Sequence, residues 1–122
     1  PDGPAADARG RRWRLDGELG ALAGRAENGR FVSDEYPDAL ARAWSALTCP
    51  SAGDVLLSAA PGFEFIDWGG VDHVGGGSHG SLHREDSLGP LAWWGCGPDE
   101  RDAQPGWSLE DVLPMVLAHF RA

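Results

Sequence analysis

The chain contains no lysine, only two cysteines and no long apolar run. All ten basic residues are arginine, and the nineteen acidic residues give a net charge of -9, which argues against a nucleic-acid polymer or an anionic membrane as the main partner. Cys49 and Cys96 are too few for a disulfide scaffold or a cysteine-built zinc site, and they slightly favour a reducing, cytoplasmic compartment. No apolar run approaches the roughly 18 residues that span a bilayer.

Local patterns predict an α/β fold of layered strands and helices. Residues 1–10 are rich in Pro, Gly, Ala and Asp, which is typical of a flexible lead-in to a domain that occupies residues 11–122. A short strand is expected at Trp13–Leu15. The turn pair Asn28-Gly29 predicts a β-hairpin within Ala21–Val32.

An amphipathic helix and several buried strands are predicted next. Ser33 is placed as the cap of the helix, with Pro37 in its first turn and Pro50 after its end. Its apolar stripe consists of Leu40, Ala43, Trp44 and Leu47. Short apolar runs predict strands at Asp54–Ala60, Phe63–Phe65 and Leu91–Trp94. The chain closes with a helix over Leu109–Phe120, for which Ser108 and Asp111 form a capping pattern.

Trp68–Gly89 is a long, glycine-rich loop by composition, and it carries three histidines: His73, His79 and His83. A loop of this length in a small domain is usually functional or disordered. Imidazole and the nearby carboxylates are ligands that zinc accepts. A polar loop with ordinary histidines explains the pattern equally well for His79, and better for His73 and His83.

A serine nucleophile is a second hypothesis for the same loop. Gly76–Gly80 matches the G-x-S-x-G elbow of α/β-hydrolases, with Ser78 as the nucleophile. Asp102 or Asp111 and then His119 follow in the order that those enzymes use. The flanking residues lack the strong strand and helix that the elbow requires, so a chance match is the better explanation.

The order of the motifs resembles the C-terminal segment of the alkaline phosphatase superfamily, and most closely its type I phosphodiesterase and nucleotide pyrophosphatase branch. The resemblance covers roughly Gly53 to Phe120, and Met115 stands where the family usually has threonine. The motifs that carry it are Ser78-His79-Gly80, Asp86-Ser87, Gly95-Cys96-Gly97-Pro98 and Leu109–Leu117.

This resemblance implies that residues 11–122 are the C-terminal portion of a metallohydrolase with buried strands flanked by helices. His79 would be one ligand of a two-metal centre, usually zinc, that hydrolyses small phosphate esters or phosphodiesters. The nucleophile and the other ligands would come from an N-terminal remainder of the same enzyme, so the isolated chain would be inactive. His73 and His83 match no ligand position and would lie behind the ligands or on the surface. The competing hypotheses are the serine esterase and a non-catalytic metal-binding or interaction module.

Overall fold

A computed structural model describes residues 3–66, 80–95, 97–98 and 106–121. Across these residues the chain is a mixed α/β structure with one four-stranded sheet and three α-helices, which confirms the predicted class. The chain divides into two units, residues 1–88 and residues 89–122. None of the helices in the described part of the chain is long and apolar enough to cross a membrane.

The sheet lies in the first unit and is built from short strands. β1 pairs antiparallel with β2 and parallel with β4, and β4 pairs antiparallel with β3, so the strand order is β2-β1-β4-β3. The stretch 1–10, for which composition predicts a lead-in, contributes β1 to this sheet. The strands are β1 Ala5–Ala6, β2 Arg12–Trp13, β3 Gly24–Glu27 and β4 Arg30–Ser33.

The predicted hairpin is confirmed as β3 and β4. Asn28 and Gly29 connect the two strands, and both have positive φ angles, 50° and 74°. A two-residue turn with positive φ at both positions matches the twist of the flanking strands, and Asn-Gly is the pair that adopts it most easily. The turn sets the register, in which Glu27 faces Arg30 and Gly24 faces Ser33.

Helix α1 spans Ala39–Thr48 and ends before Pro50, as predicted. The prediction that Ser33 caps this helix is wrong, because Ser33 is the last residue of β4 and its hydroxyl accepts the backbone N–H of Tyr36 at 3.0 Å. Asp38 is the residue before the helix and has a left-handed backbone, φ 51°. Pro37 therefore lies outside the first turn.

The core of the first unit forms where α1 packs on the sheet. Trp13 of β2 and Phe31 of β4 are buried together with Ala39 and Leu40 of α1. Only half of the predicted apolar stripe is buried, because Leu40 and Ala43 face the core whereas Trp44 and Leu47 are exposed. The indole of Trp44 still meets that of Trp13 edge-on, with ring centroids 6.3 Å apart.

The three predicted strands Asp54–Ala60, Phe63–Phe65 and Leu91–Trp94 are wrong, since none of them is a strand in the structure. Their large side chains are exposed: Val55 is 73%, Phe63 77% and Trp94 96% accessible. An apolar run becomes a strand only where a neighbouring strand takes its backbone hydrogen bonds. Within the described residues, no strand pairs with any of these runs.

The closing helix α3 is confirmed and spans Leu109–Arg121 in the second unit. Its capping pattern is present, because the backbone N–H of Ser108 and its hydroxyl donate to the carboxylate of Asp111 at 2.7 and 3.1 Å. Pro114 lies inside the helix rather than in its first turn. A proline there has no N–H to offer the carbonyl of Glu110, which weakens the helix locally.

Candidate functional site

The C-terminal part of the glycine-rich loop, residues 80–88, lies within the described residues. The site residues His73, Ser78 and His79 lie outside the described residues, and His83 lies within them. The described segment begins at Gly80 and runs through Leu88, so it starts one residue after His79. Part of it, Arg84–Ser87, forms the one-turn helix α2, where composition predicts only loop.

Arg42 of α1 holds this segment by its guanidinium group. Its Nη1 donates to the carbonyl oxygen of Leu82 at 3.0 Å and to that of Pro37 at 3.2 Å. Its Nη2 donates to the carbonyl oxygen of Ser81 at 3.2 Å. Hydrogen bonds from a charged donor are stronger than neutral ones. One side chain therefore joins the residues just before α1 to the residues just after the loop.

Two further sets of hydrogen bonds fix the same segment. The backbone N–H of Leu82 donates to the Ser58 hydroxyl at 3.3 Å. The backbone N–H of Arg84 donates to the carbonyl oxygen of Glu35 at 2.8 Å, and its guanidinium reaches the carbonyl oxygen of Asp34 at 3.3 Å. The segment is thus tied to α1, to the β4–α1 connection and to the residues after α1.

Local hydrogen bonds shape the segment itself. Gly80 has φ 99°, a backbone conformation that glycine adopts far more readily than other residues. The Ser81 hydroxyl donates to the Asp86 carboxylate and accepts the backbone N–H of His83 at 3.0 Å. The Ser87 hydroxyl donates to the carbonyl oxygen of His83 at 2.7 Å. These bonds close α2 into a single hydrogen-bonded turn.

His83 serves as the N-terminal cap of α2. Its Nδ1 accepts the backbone N–H of Glu85 at 3.4 Å, and its ring meets Tyr36 edge-on, with centroids 6.5 Å apart. These contacts hold the imidazole at the end of a helix turn. The resemblance leaves His83 without a ligand position, and the geometry gives it a structural role.

The described residues contain no group of three His, Cys, Asp or Glu side chains that lie close enough to hold a metal ion. The resemblance assigns one zinc ligand to this chain, His79, which lies outside the described residues. Imidazole nitrogen is a donor that zinc accepts, so His79 fits the role of one ligand. Zinc takes three or four ligands in proteins, so a zinc centre at His79 would need further ligands.

The second unit contains a groove of about 800 Å³. His119 of α3 lines it and also meets the Phe120 ring edge-on, with centroids 5.3 Å apart. Gly97 packs against the indole of Trp93, where a Cβ atom would overlap the ring. The groove is lined by Trp93, Gly95, Gly97, Pro98, Trp107, Asp111, Pro114, Met115, Ala118 and His119.

The esterase hypothesis names Ser78 as nucleophile, Asp102 or Asp111 as acid and His119 as base. Ser78 and Asp102 lie outside the described residues, and Asp111, the other candidate acid, binds the backbone and hydroxyl of Ser108 at the start of α3. His119 is exposed on the groove of the second unit. The pairing of Ser78 with His119 therefore stays a prediction.

Sequence reasoning missed Arg42 and Ser58. Arg42 falls on the side of α1 opposite the apolar stripe, a position that predicts a solvated arginine. Ser58 lies within an apolar run that predicts a buried strand. The contacts that give both residues a role span 24 to 40 positions of sequence, and no local pattern encodes them.

Comparisons of the chain with family models, with curated proteins and with solved structures found no match.

Proposed function

We propose that this chain is part of a metal-dependent hydrolase of phosphate esters or phosphodiesters, similar to the type I phosphodiesterases of the alkaline phosphatase superfamily. His79 is its contribution to the metal centre. The observation that supports the proposal is that Ser78-His79-Gly80 comes in the sequence directly before a segment held by Arg42, Ser58 and Arg84. A metal ligand has to be held in a fixed orientation, and its supporting residues supply that constraint.

The exposed apolar runs support the further proposal of a layered fold completed by an N-terminal remainder. Val55, Leu57, Phe63 and Phe65 are all more than 60% exposed. Burying a side chain of this kind stabilises a fold by about 1.5–3 kcal/mol. A surface of the remainder that packed against residues 54–65 would bury these side chains.

In this proposal the chain's own residues hold and orient one ligand. The His79 imidazole binds through a ring nitrogen, and only in its neutral form, so protons compete with the metal. Arg42 and the α2 turn fix the chain immediately after the ligand. A pair of zinc ions, when bound, stabilises the attacking and leaving oxygens of an in-line phosphoryl displacement. The nucleophile comes from the remainder.

The test uses the full gene product that contains this chain. We expect His79→Ala to lower hydrolysis of p-nitrophenyl phosphate and its diester by more than the about 10- to 100-fold that loss of a residue behind a ligand causes. Bound zinc, measured by elemental analysis, should fall as well. His119→Ala is the matched histidine control and should leave both activity and zinc unchanged.

Three outcomes would overturn the proposal. Unchanged activity and zinc content in His79→Ala would remove His79 from the metal centre. Loss of activity in Ser78→Ala and His119→Ala, together with fluorophosphonate labelling and indifference to chelators, would establish the esterase. Zinc binding that depends on His79 without turnover of either ester would establish a non-catalytic metal-binding module.

A further inference from the structure

Helix α3 carries a row of exposed apolar side chains, here called the α3 stripe: Leu109, Leu113, Val116 and Phe120. Successive members are separated by four, three and four residues, which is the spacing of the contact residues of a coiled coil. Leu109 is 92% and Phe120 80% exposed. Single exposed apolar residues are common on protein surfaces, but a contiguous stripe indicates a surface that contacts a partner.

The opposite side of α3 lines the groove of the second unit. Asp111, Met115 and Ala118 line that groove, and they form a second row with the spacing of a helix face. None of the four residues of the α3 stripe lines it. The helix therefore has one side turned to its own unit and another that the described residues leave exposed.

The α3 stripe is complementary to a second copy of itself in the antiparallel direction. When two such helices lie side by side about a twofold axis, Leu109 of each copy meets Phe120 of the other. Leu113 of each copy likewise meets Val116 of the other, so every residue of the stripe is covered. The spacing of the stripe keeps the two helices in contact over their whole length of about 20 Å.

Charges at the two ends of α3 select this direction. Glu110 follows the first residue of the stripe and Arg121 follows the last, so both flank the stripe on the same side. No salt bridge among the described residues uses either group. An antiparallel pair places Glu110 of each copy beside Arg121 of the other, and it also opposes the two helix dipoles. A parallel pair would instead bring the two acidic ends together and the two basic ends together.

From this complementarity of shape and charge, we propose that α3 is the surface through which two copies of this chain associate as an antiparallel pair. The inference does not rest on the proposed function, because the α3 stripe contains no residue of the proposed metal centre. Stable interfaces bury about 800 Å² on each partner, and one side of a 13-residue helix presents less. The dimer should therefore be weak, with a dissociation constant in the micromolar range.

The experiment measures the dissociation constant of the full gene product by sedimentation velocity between about 1 and 100 µM. Leu113→Glu removes an apolar contact twice in each dimer, so it should weaken association at least about 100-fold. Glu110→Arg and Arg121→Glu each replace two attractive pairs by repulsive ones and should weaken association about three- to tenfold. The double variant, in which the two charges are exchanged, is the matched control and should restore it. Circular dichroism checks that each variant keeps its helix content.

Three results would overturn the inference. The gene product could stay monomeric over the whole range; protection of Phe120 from hydroxyl-radical labelling in that monomer would show that another part of the gene product occupies the stripe. A dimer that Leu113→Glu leaves intact would use a different surface. Single charge variants that associate as tightly as the original chain would contradict the antiparallel direction. Should Leu113→Glu lose helix content, the charge variants decide the question, because Glu110 and Arg121 are exposed.

Discussion

Asp7 is the buried acid of the described chain, and its replacement by asparagine tests the packing of the first unit. Asp7 is 5% exposed, and its carboxylate accepts four hydrogen bonds. Oδ1 accepts the backbone N–H groups of Arg9 and Arg11, each at 2.9 Å. Oδ2 accepts Nε of Arg11 at 2.7 Å and the indole N–H of Trp13 at 2.9 Å. Arg11 also pairs with Asp38, the residue that precedes α1.

The Asp7→Asn variant keeps the shape of the side chain but not its two acceptors. An amide has one acceptor oxygen, so in either orientation its NH₂ group faces two donors and leaves them unpaired. A buried donor without a partner costs about 1–3 kcal/mol. The Arg11 side chain is 31% exposed, so losing its ion pair adds at most about 1 kcal/mol. Three of the four donors are only partly buried, so their cost lies at the low end of that range, and we expect the free energy of unfolding to fall by about 2–4 kcal/mol.

Urea unfolding followed by far-ultraviolet circular dichroism measures this loss at neutral pH. Asp16→Asn, which replaces an exposed aspartate, is the matched control and should change the unfolding free energy by less than about 0.5 kcal/mol. A loss of the same small size in Asp7→Asn would refute the reasoning. It would show that the four hydrogen bonds stabilise the folded chain no more than the hydrogen bonds that the same groups make to water in the unfolded chain.

The pH dependence of the same variant gives a second check. Burial by itself would raise the pKa of Asp7, but the hydrogen bonds from Trp13 and Arg11 outweigh burial and hold the pKa below its ordinary value of 3.8. A carboxyl whose pKa is lower in the folded chain than in the unfolded chain stabilises the fold at every pH above its unfolded-state pKa. That stabilisation is lost as the pH falls through the folded-state pKa. The difference in unfolding free energy between the original chain and Asp7→Asn should therefore have its full size above about pH 4. It should decrease as the pH falls below that value.

Two further predictions concern Gly24 and Cys49. A Cβ atom at Gly24 would overlap the ring of Phe31, whereas one at Gly20 would meet nothing within 4 Å. Gly24→Ala should therefore lower the unfolding free energy by about 1–3 kcal/mol, and an equal effect of Gly20→Ala would contradict this. The hydroxyl and backbone of Ser51 lower the pKa of the exposed Cys49 thiol. In a chain whose other cysteine is alanine, Ser51→Ala should slow alkylation by iodoacetamide near neutral pH, and an unchanged rate would show that the hydroxyl does not stabilise the thiolate.

Elements with a local cause could be predicted from the sequence. The hairpin follows from Asn28-Gly29, because two residues with positive φ fix both the turn and the register of its strands. The start of helix α3 follows from the cap formed by Ser108 and Asp111. In each case the interactions that decide the structure lie within a few residues of one another.

Elements that depend on distant partners were mispredicted. The runs Asp54–Ala60 and Leu91–Trp94 have the composition of buried strands, but composition does not say which strand will take their hydrogen bonds. Ser33 has the composition of a helix cap, but the hairpin continues by one pair, Gly24 with Ser33, beyond its predicted end at Val32. For the candidate site, the histidine motif was visible in the sequence, whereas the anchoring by Arg42 depends on contacts 39 and 40 residues away.

The proposed function connects the exposed run to the anchored loop through Ser58. Ser58 lies in Asp54–Ala60, whose Val55 and Leu57 side chains are exposed, and its hydroxyl accepts the N–H of Leu82. A segment of the remainder that packed on Val55 and Leu57 would also order Ser58, and Ser58 would then hold the chain beyond His79 more firmly. Under this proposal, packing of the remainder on Val55 and Leu57 would be coupled to orientation of the metal ligand. Zinc affinity should then depend on the remainder through Ser58 as well as through the ligands that the remainder supplies.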